Sequence, residues 1–385
     1  MKQMRMGIRL LMASCLTMAA VLLTAEEGKM QFWSRQQKGA NIFNEEISRE
    51  DIRTAKSYGI AFIRLAPDKF TGETRDFLIG DADNYQGLVP EDLRKLKGIL
   101  DMFHEEEMPV LITMLSLPGS RWRQNNDGKD DLRIWRDKNF QDQAAQFWQD
   151  LSKEIAGHPA LVGFNVLNEP HPERLFSREG MTEAERDEVQ SMLFELYDLV
   201  IASTRKVDKN IPIILDSSTY ADPNAFRKLK RHSDKRILYS FHMYEPYAYT
   251  NRKLNDGKFE YPGHVNGVYW DYNALKKYMN AVLTFQRLNN VSSNRILVGE
   301  FGGHRMSRGL PGYFEDLTGI FDENGWHYAF YAFREDTWDG MDYELGSGKM
   351  PWSYWQALER GEKPVVDRNS NSPSFKALLD SIQNP

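Results

Sequence analysis

The sequence of 385 residues predicts a single α/β domain folded as a (β/α)8 barrel, on three observations. Short apolar runs alternate with longer amphipathic stretches from Glu26 to Pro385. The runs are continuously apolar rather than alternating, as strands covered on both faces should be. Neither a repeat of 20–50 residues nor a low-complexity linker divides the chain. An open doubly wound sheet shares the alternation, but no glycine-rich phosphate loop follows an early strand to support it.

The eight runs are, in order, "GANIF" (39–43), "IAFIRL" (60–65), "PVLITML" (109–115), "LVGFNVL" (161–167), "PIILD" (212–216), "RILYSFHM" (236–243), "RILVGEF" (295–301) and "HYAFYAF" (327–333). The stretches between them have helix ends. "PEDLRKLKGILDMFHEEEM" opens on Pro90 and two acids, which suit the positive end of a helix dipole. Thr182 and Glu185 have capping-box spacing ahead of an apolar periodicity. "YNALKKYMNAVLTFQRL" and the terminal "PSFKALLDSI" complete the pattern. Eight such alternations in one domain of this length point to the barrel.

Residues 1–25 stand outside that pattern. Lys2, Arg5 and Arg9 precede the apolar run "LLMASCLTMAAVLLTA", the layout of a secretory signal peptide cleaved after Ala25. A retained anchor is the alternative, although a run of about 16 residues is short for a span. Cleavage leaves one domain, 26–385, in a secreted or periplasmic protein without stable membrane contact. It also removes the only cysteine, Cys15, and a core of this size needs no disulfide. The formal charge moves from −6 to −9 as three cations leave. An acidic balance without a basic run argues against nucleic acid as a partner. A monomer is expected.

In barrels of this kind, polar residues at the strand C-termini are chemical more often than structural. The second run offers Arg64, the fourth Asn168 and Glu169, the sixth His242 and Tyr244, and the seventh Glu300. Runs four and seven are not adjacent, so Glu169 and Glu300 would face each other across the mouth. Two opposed carboxyl groups, one protonated and one ionised, are what hydrolysis of a glycosidic bond requires. Arg64 and Tyr244 could hold Glu300 as an anion, leaving Glu169 to keep its proton. Singly, either acid could be an ordinary strand-end ion-pair partner. His242 alone would suit a core histidine.

The stretches "LNEP" (167–170), "FHMY" (241–244) and "VGEFG" (298–302), with "KGANIF" (38–43) and "FIRL" (62–65), resemble glycoside hydrolase family 5, the cellulase family. The resemblance implies a retaining double displacement, with Glu169 as general acid/base and Glu300 as nucleophile. It also implies that Asn168 binds the sugar 2-hydroxyl, Arg64 and Tyr244 orient Glu300, and His242 lines the site. No metal and no cofactor come with it. Two departures stand out. Leu115, beside Ser116 in "MLSLPGS", occupies the place of the family's usual strand-three histidine. At the eighth strand, where the family usually has a stacking tryptophan, Tyr331 is nearest and Trp338 follows; Trp338 is the expected platform.

Among the other tryptophans, Trp122 and Trp270 are the expected cleft residues. "NNDGKDD" (125–131) fails the calcium-loop spacing and reads as a solvated turn. The expected function is endo-β-1,4-glucanase-like hydrolysis of a β-linked polysaccharide or oligosaccharide. Alternatives are the same chemistry on β-mannan, β-1,3- or 1,6-glucan or a glycolipid, a non-catalytic carbohydrate-binding barrel, and a metal-dependent hydrolase.

Overall fold

The computed structural model describes residues 28–176, 180–336, 338–362 and 364–384; the expected signal peptide lies outside them. All eight expected runs form strands: β1 (Lys38–Ile42), β2 (Ile63–Leu65), β3 (Val110–Thr113), β4 (Leu161–Asn165), β5 (Ile213–Asp216), β6 (Ile237–Met243), β9 (Ile296–Phe301) and β10 (His327–Phe330). They pair in parallel and close into a barrel, β10 returning to β1. A second, two-stranded sheet, β7 (Gly263–Val265) and β8 (Val268–Trp270), lies between β6 and β9 in sequence and is antiparallel. It was not among the expected runs.

The helices follow the caps. Pro90 opens α2 (Pro90–Glu105), which comes after α1 (Arg49–Ser57) and before α3 (Lys138–Ile155). Both halves of the capping box at Thr182 and Glu185 are formed at the start of α4 (Glu183–Val207). The stretch expected as one helix after Asp271 breaks at Met279 into α5 (Tyr272–Tyr278) and α6 (Asn280–Asn289). α7 (Leu310–Asn324) and α8 (Pro373–Gln383) complete the shell.

Two layers fill the barrel. The lower is apolar: Leu111, Val162, Ile214, Leu238, Leu297 and Ala329 pack together, with Phe62 and Trp33 in the same cluster. Trp33 donates its indole N–H to the Val162 carbonyl at 2.9 Å. Because strand side chains repeat every two residues, the next inward position on β2, β3 and β5 forms the upper layer. There Leu111 gives way to Thr113, Ile214 to Asp216 and Phe62 to Arg64, all buried. Gly39 and Gly163 precede Asn41 and Asn165 on the same faces. A Cβ on Gly39 would stand 2.5 Å from the Phe62 ring, and one on Gly163 would stand 2.8 Å from Ile214, so glycine lets the lower layer close. The fold thus lifts a polar ring onto an apolar floor.

Candidate active site

Arg64 is fully buried in that ring and survives there because its donors are all used. One terminal nitrogen donates to Glu300 Oε1 at 2.7 Å and to Asn41 Oδ1 at 2.9 Å. The other donates to Asn165 Oδ1 at 2.7 Å and Asn168 Oδ1 at 2.6 Å, while Nε reaches Asn165 Oδ1 at 3.0 Å. Strands β1, β4 and β9 therefore converge on one guanidinium. Asn168, with its oxygen held by Arg64, is left with its amide nitrogen to donate outward.

Glu300 accepts from Arg64 on one oxygen and from the Tyr244 hydroxyl, at 2.8 Å, on the other. Burial and then the charge of Glu300 push the Tyr244 phenol well above its ordinary value, so it remains a donor at working pH. Beside Glu300, Gly299 makes room for β6: a Cβ there would stand 2.7 Å from Ser240 Oγ and 2.9 Å from His242 Nε2.

Glu169 is built differently. It lies past the end of β4 with a left-handed backbone, φ 51°, a conformation that costs a non-glycine residue about 1–2 kcal/mol. Its N–H donates to Asp216 Oδ2 at 3.2 Å, which holds that turn. Its Oε1 lies 2.9 Å from His242 Nδ1. Burial raises the Glu169 pKa, the charges of Glu300 and Asp216 add to the rise, and the His242 hydrogen bond opposes it. For His242, burial favours the neutral ring, but the Glu300, Asp216 and Glu169 carboxylates outweigh burial and the pKa goes up.

The distance between the acids is decisive for what they can do together. One carboxylate oxygen each of Glu169 and Glu300, with a His242 ring nitrogen, lie within 4.8 Å of one another. This is close to the roughly 5–5.5 Å separation of a retaining pair and well short of the roughly 6.5–9.5 Å of an inverting one. The same three side chains are the set among the described residues that could surround a cation. Arg64 already neutralises Glu300 there, which works against a second positive charge.

Trp338, the expected platform, stacks its ring on His304, centroids 6.3 Å apart and planes at 27°, and is 37% exposed. Tyr331 lies close enough to the acids to feel their charge: burial, then Glu335, then Glu300 raise its pKa, and its hydroxyl donates to Glu335 Oε2 at 2.7 Å. The reason is local. β10 ends at Phe330, so Tyr331 stands at the strand tip while Trp338 is carried into the following loop.

Tyr331 and Trp122 pack on a small apolar cluster of Phe43, Ala66 and Leu115, whose members follow β1, β2 and β3. Leu115, standing where the resemblance leads one to expect histidine, is thus a wall residue. Its N–H and that of Ser116 both donate to Asp68, whose carboxyl burial pushes up to about 7. Trp270 lies in the hairpin against Tyr278, centroids 5.8 Å apart.

Three participants escaped the sequence inventory: Asn41, Asn165 and Asp216. Asp216 had a visible signal, since it closes the apolar run "PIILD" as abruptly as Glu169 follows its own run. The asparagines had a fainter one, lying two residues beyond glycines on the inward face.

A closed parallel barrel carrying two carboxyl groups at its mouth is an arrangement that suits a glycoside hydrolase. Residues 25–337 match the cellulase family, glycosyl hydrolase family 5, and the chain belongs to that family. Endoglucanase C of Acetivibrio thermocellus is 23% identical over 265 residues, covering 66% of this chain and 68% of the relative. A β-xylosidase of Phanerodontia chrysosporium is 28% identical over 176 residues, 44% of this chain and 32% of that protein. Among solved structures, a hyperthermophilic endo-β-1,4-glucanase in complex with substrate superposes with a TM-score of 0.63 at 18% identity, covering 91% of this chain and 99% of the other. Cel5A of Thermotoga maritima in complex with mannotriose gives 0.62 at 16% identity, with 91% and 99% covered. At these identities the structures speak for the fold.

Proposed function

We propose that the chain is a retaining endo-β-1,4-glucanase in which Glu300 is the nucleophile and Glu169 the general acid/base. The observation that carries this reading is the approach of their carboxylate oxygens to within 4.8 Å. A Glu300 oxygen attacks the anomeric carbon as Glu169 gives its proton to the departing glycosidic oxygen. Glu169 then takes a proton from water, which displaces Glu300 from the sugar with a second inversion, so configuration is retained. The raised pKa of Glu169 supports its starting this cycle protonated. Arg64 and Tyr244 position Glu300, Asn168 binds the 2-hydroxyl, and His242 tunes Glu169. Tyr331 supplies the sugar-facing aromatic surface in place of Trp338.

Substrate class draws its support from the relatives: an endoglucanase over two thirds of this chain, and a similar fold solved with an endo-β-1,4-glucanase substrate. β-Mannan is the second reading, favoured by the mannotriose complex of a similarly folded enzyme. We assign residues 1–25 to export and 26–385 to one catalytic domain acting outside the cytoplasm. Among the described residues no helix is long and apolar enough to cross a membrane. The test is release of reducing sugar from cellulose derivatives, β-mannan and β-1,3-glucan by the purified protein. Highest activity on soluble cellulose derivatives is expected; activity confined to short aryl glycosides would refute endo action.

A further inference from the structure

The loops that follow β6, β9 and β10 border a half-open cavity of about 730 Å³, within the size range of small-ligand sites. Four cations line it, Arg252, Arg305, Arg308 and Lys349, against two acids, Asp256 and Asp339. Arg305 is committed to the frame: it donates to Asp339 Oδ2 at 2.7 Å and to the Gly346 and Gly348 carbonyls at 2.6 and 2.5 Å. Arg308 leans 3.7 Å from Glu260. Arg252 and Lys349 form no ion pair with any described residue. Positive charge in surplus therefore stands at one place on a chain whose formal charge is −6.

His304 is an independent sign that something is meant to bind. It lines the cavity, is 6% exposed, and its Nε2 is buried without a hydrogen-bond partner. Buried polar atoms are rarely left so, because the lost bond to water goes uncompensated. Burial, with Arg252 and Arg305 nearby, drives the ring's pKa down to about 4, which leaves a neutral imidazole able to donate one hydrogen bond. Trp355 completes the lining and offers the flat apolar face that a sugar ring stacks on. His304 is also four residues beyond Glu300 in the chain and carries the Trp338 ring.

We propose that this cavity binds an acidic saccharide, its carboxylate held by Arg252, Lys349 and His304 Nε2 and its ring laid on Trp355. Two uncommitted cations and one neutral donor suit a single negative charge; a dianion would press on Asp256 and Asp339. The carboxylate can come from a free uronic acid or from a uronate branch on a polymer chain, and only the second source rests on the glycosidase reading.

The experiment is equilibrium titration of the full chain with glucuronate, with glucose as the neutral control, so no turnover is needed. Glucuronate should bind at least about tenfold more tightly than glucose. Arg252→Glu combined with Lys349→Glu should lose at least about tenfold in glucuronate affinity while the thermal unfolding midpoint holds. Lys349→Glu alone, at an exposed side chain with no ion pair to lose among the described residues, should show a smaller loss of the same sign. Absence of glucuronate binding, or equal binding by the wild type and the folded variants, overturns the proposal. A cello-oligosaccharide bearing a glucuronate branch, titrated into Glu300→Gln, separates the sources. Tighter binding than free glucuronate assigns the site to the polymer, and equal binding assigns it to the free acid.

Discussion

Glu300 stands within β9, its side chain 6% exposed, with Arg64 and Tyr244 donating to its two oxygens. Glu169 stands in a left-handed turn beyond β4, its side chain 31% exposed, with His242 as its one side-chain hydrogen-bond partner among the described residues. A group that forms and breaks a bond to carbon must be fixed in position. One that passes a proton to a leaving group and recovers it from water needs an open side and a tunable pKa. Two identical residue types thus acquire different aptitudes from what surrounds them.

The strongest way to break that comparison is to delete each acid. Glu300→Ala and Glu169→Ala should each lower kcat/KM by orders of magnitude, about 10²–10⁴-fold for the proton donor. Azide should rescue both on an activated aryl glycoside, with inverted product configuration from the Glu300 variant and retained configuration from the Glu169 variant. Chromatography of the glycosyl azides decides, and identical products from both would collapse the distinction between them.

Next is the support of Glu300. Arg64→Ala strands a buried carboxylate among Asn41, Asn165 and Asn168, and should destabilise the fold by about 3–5 kcal/mol in denaturant titrations as well as suppress turnover. A variant as stable as the wild type would mean that the polar ring is not held by its guanidinium.

The pH profile probes the other acid. Activity needs the Glu169 proton, so it should fall as pH rises through the raised Glu169 pKa. His242 opposes that rise, so His242→Ala should move the basic limb of kcat/KM to higher pH; a shift to lower pH would contradict the assigned coupling.

The smallest effect concerns the aromatic walls. Tyr331→Ala should raise KM for cello-oligosaccharides by about threefold to tenfold, the worth of about 0.5–1.5 kcal/mol of ring stacking, with kcat less affected. Trp338→Ala should leave neutral substrates nearly unchanged. The reverse ordering would restore Trp338 as the platform.

Much of this architecture was legible because its signals are local. Apolar runs mark strands buried on both faces, and their abrupt polar ends mark the barrel's mouth, which is how Glu169, His242, Tyr244 and Glu300 stood out. The hairpin β7–β8 was missed because its strands are three residues each, too short to register as apolar runs, although its Asn266-Gly267 turn, both residues at positive φ, is a hairpin signal. Asp216 was passed over for the opposite reason: an acid ending a run looks like any strand-end carboxylate until Glu169's N–H is seen to rest on it.

The amino-acid order by itself determined the eight strands, their succession and the pair of carboxyl groups at strand ends, since hydrophobic period and strand termination depend only on near neighbours. Tertiary closure alone decided which atoms meet. Arg64 and Glu300, 236 residues apart, meet because the barrel seals β10 to β1, and His242 and Glu169, 73 apart, meet across β5. Closure likewise set Tyr331 beside the acids and sent Trp338 to His304, because where a loop side chain comes to rest depends on packing that no local pattern encodes.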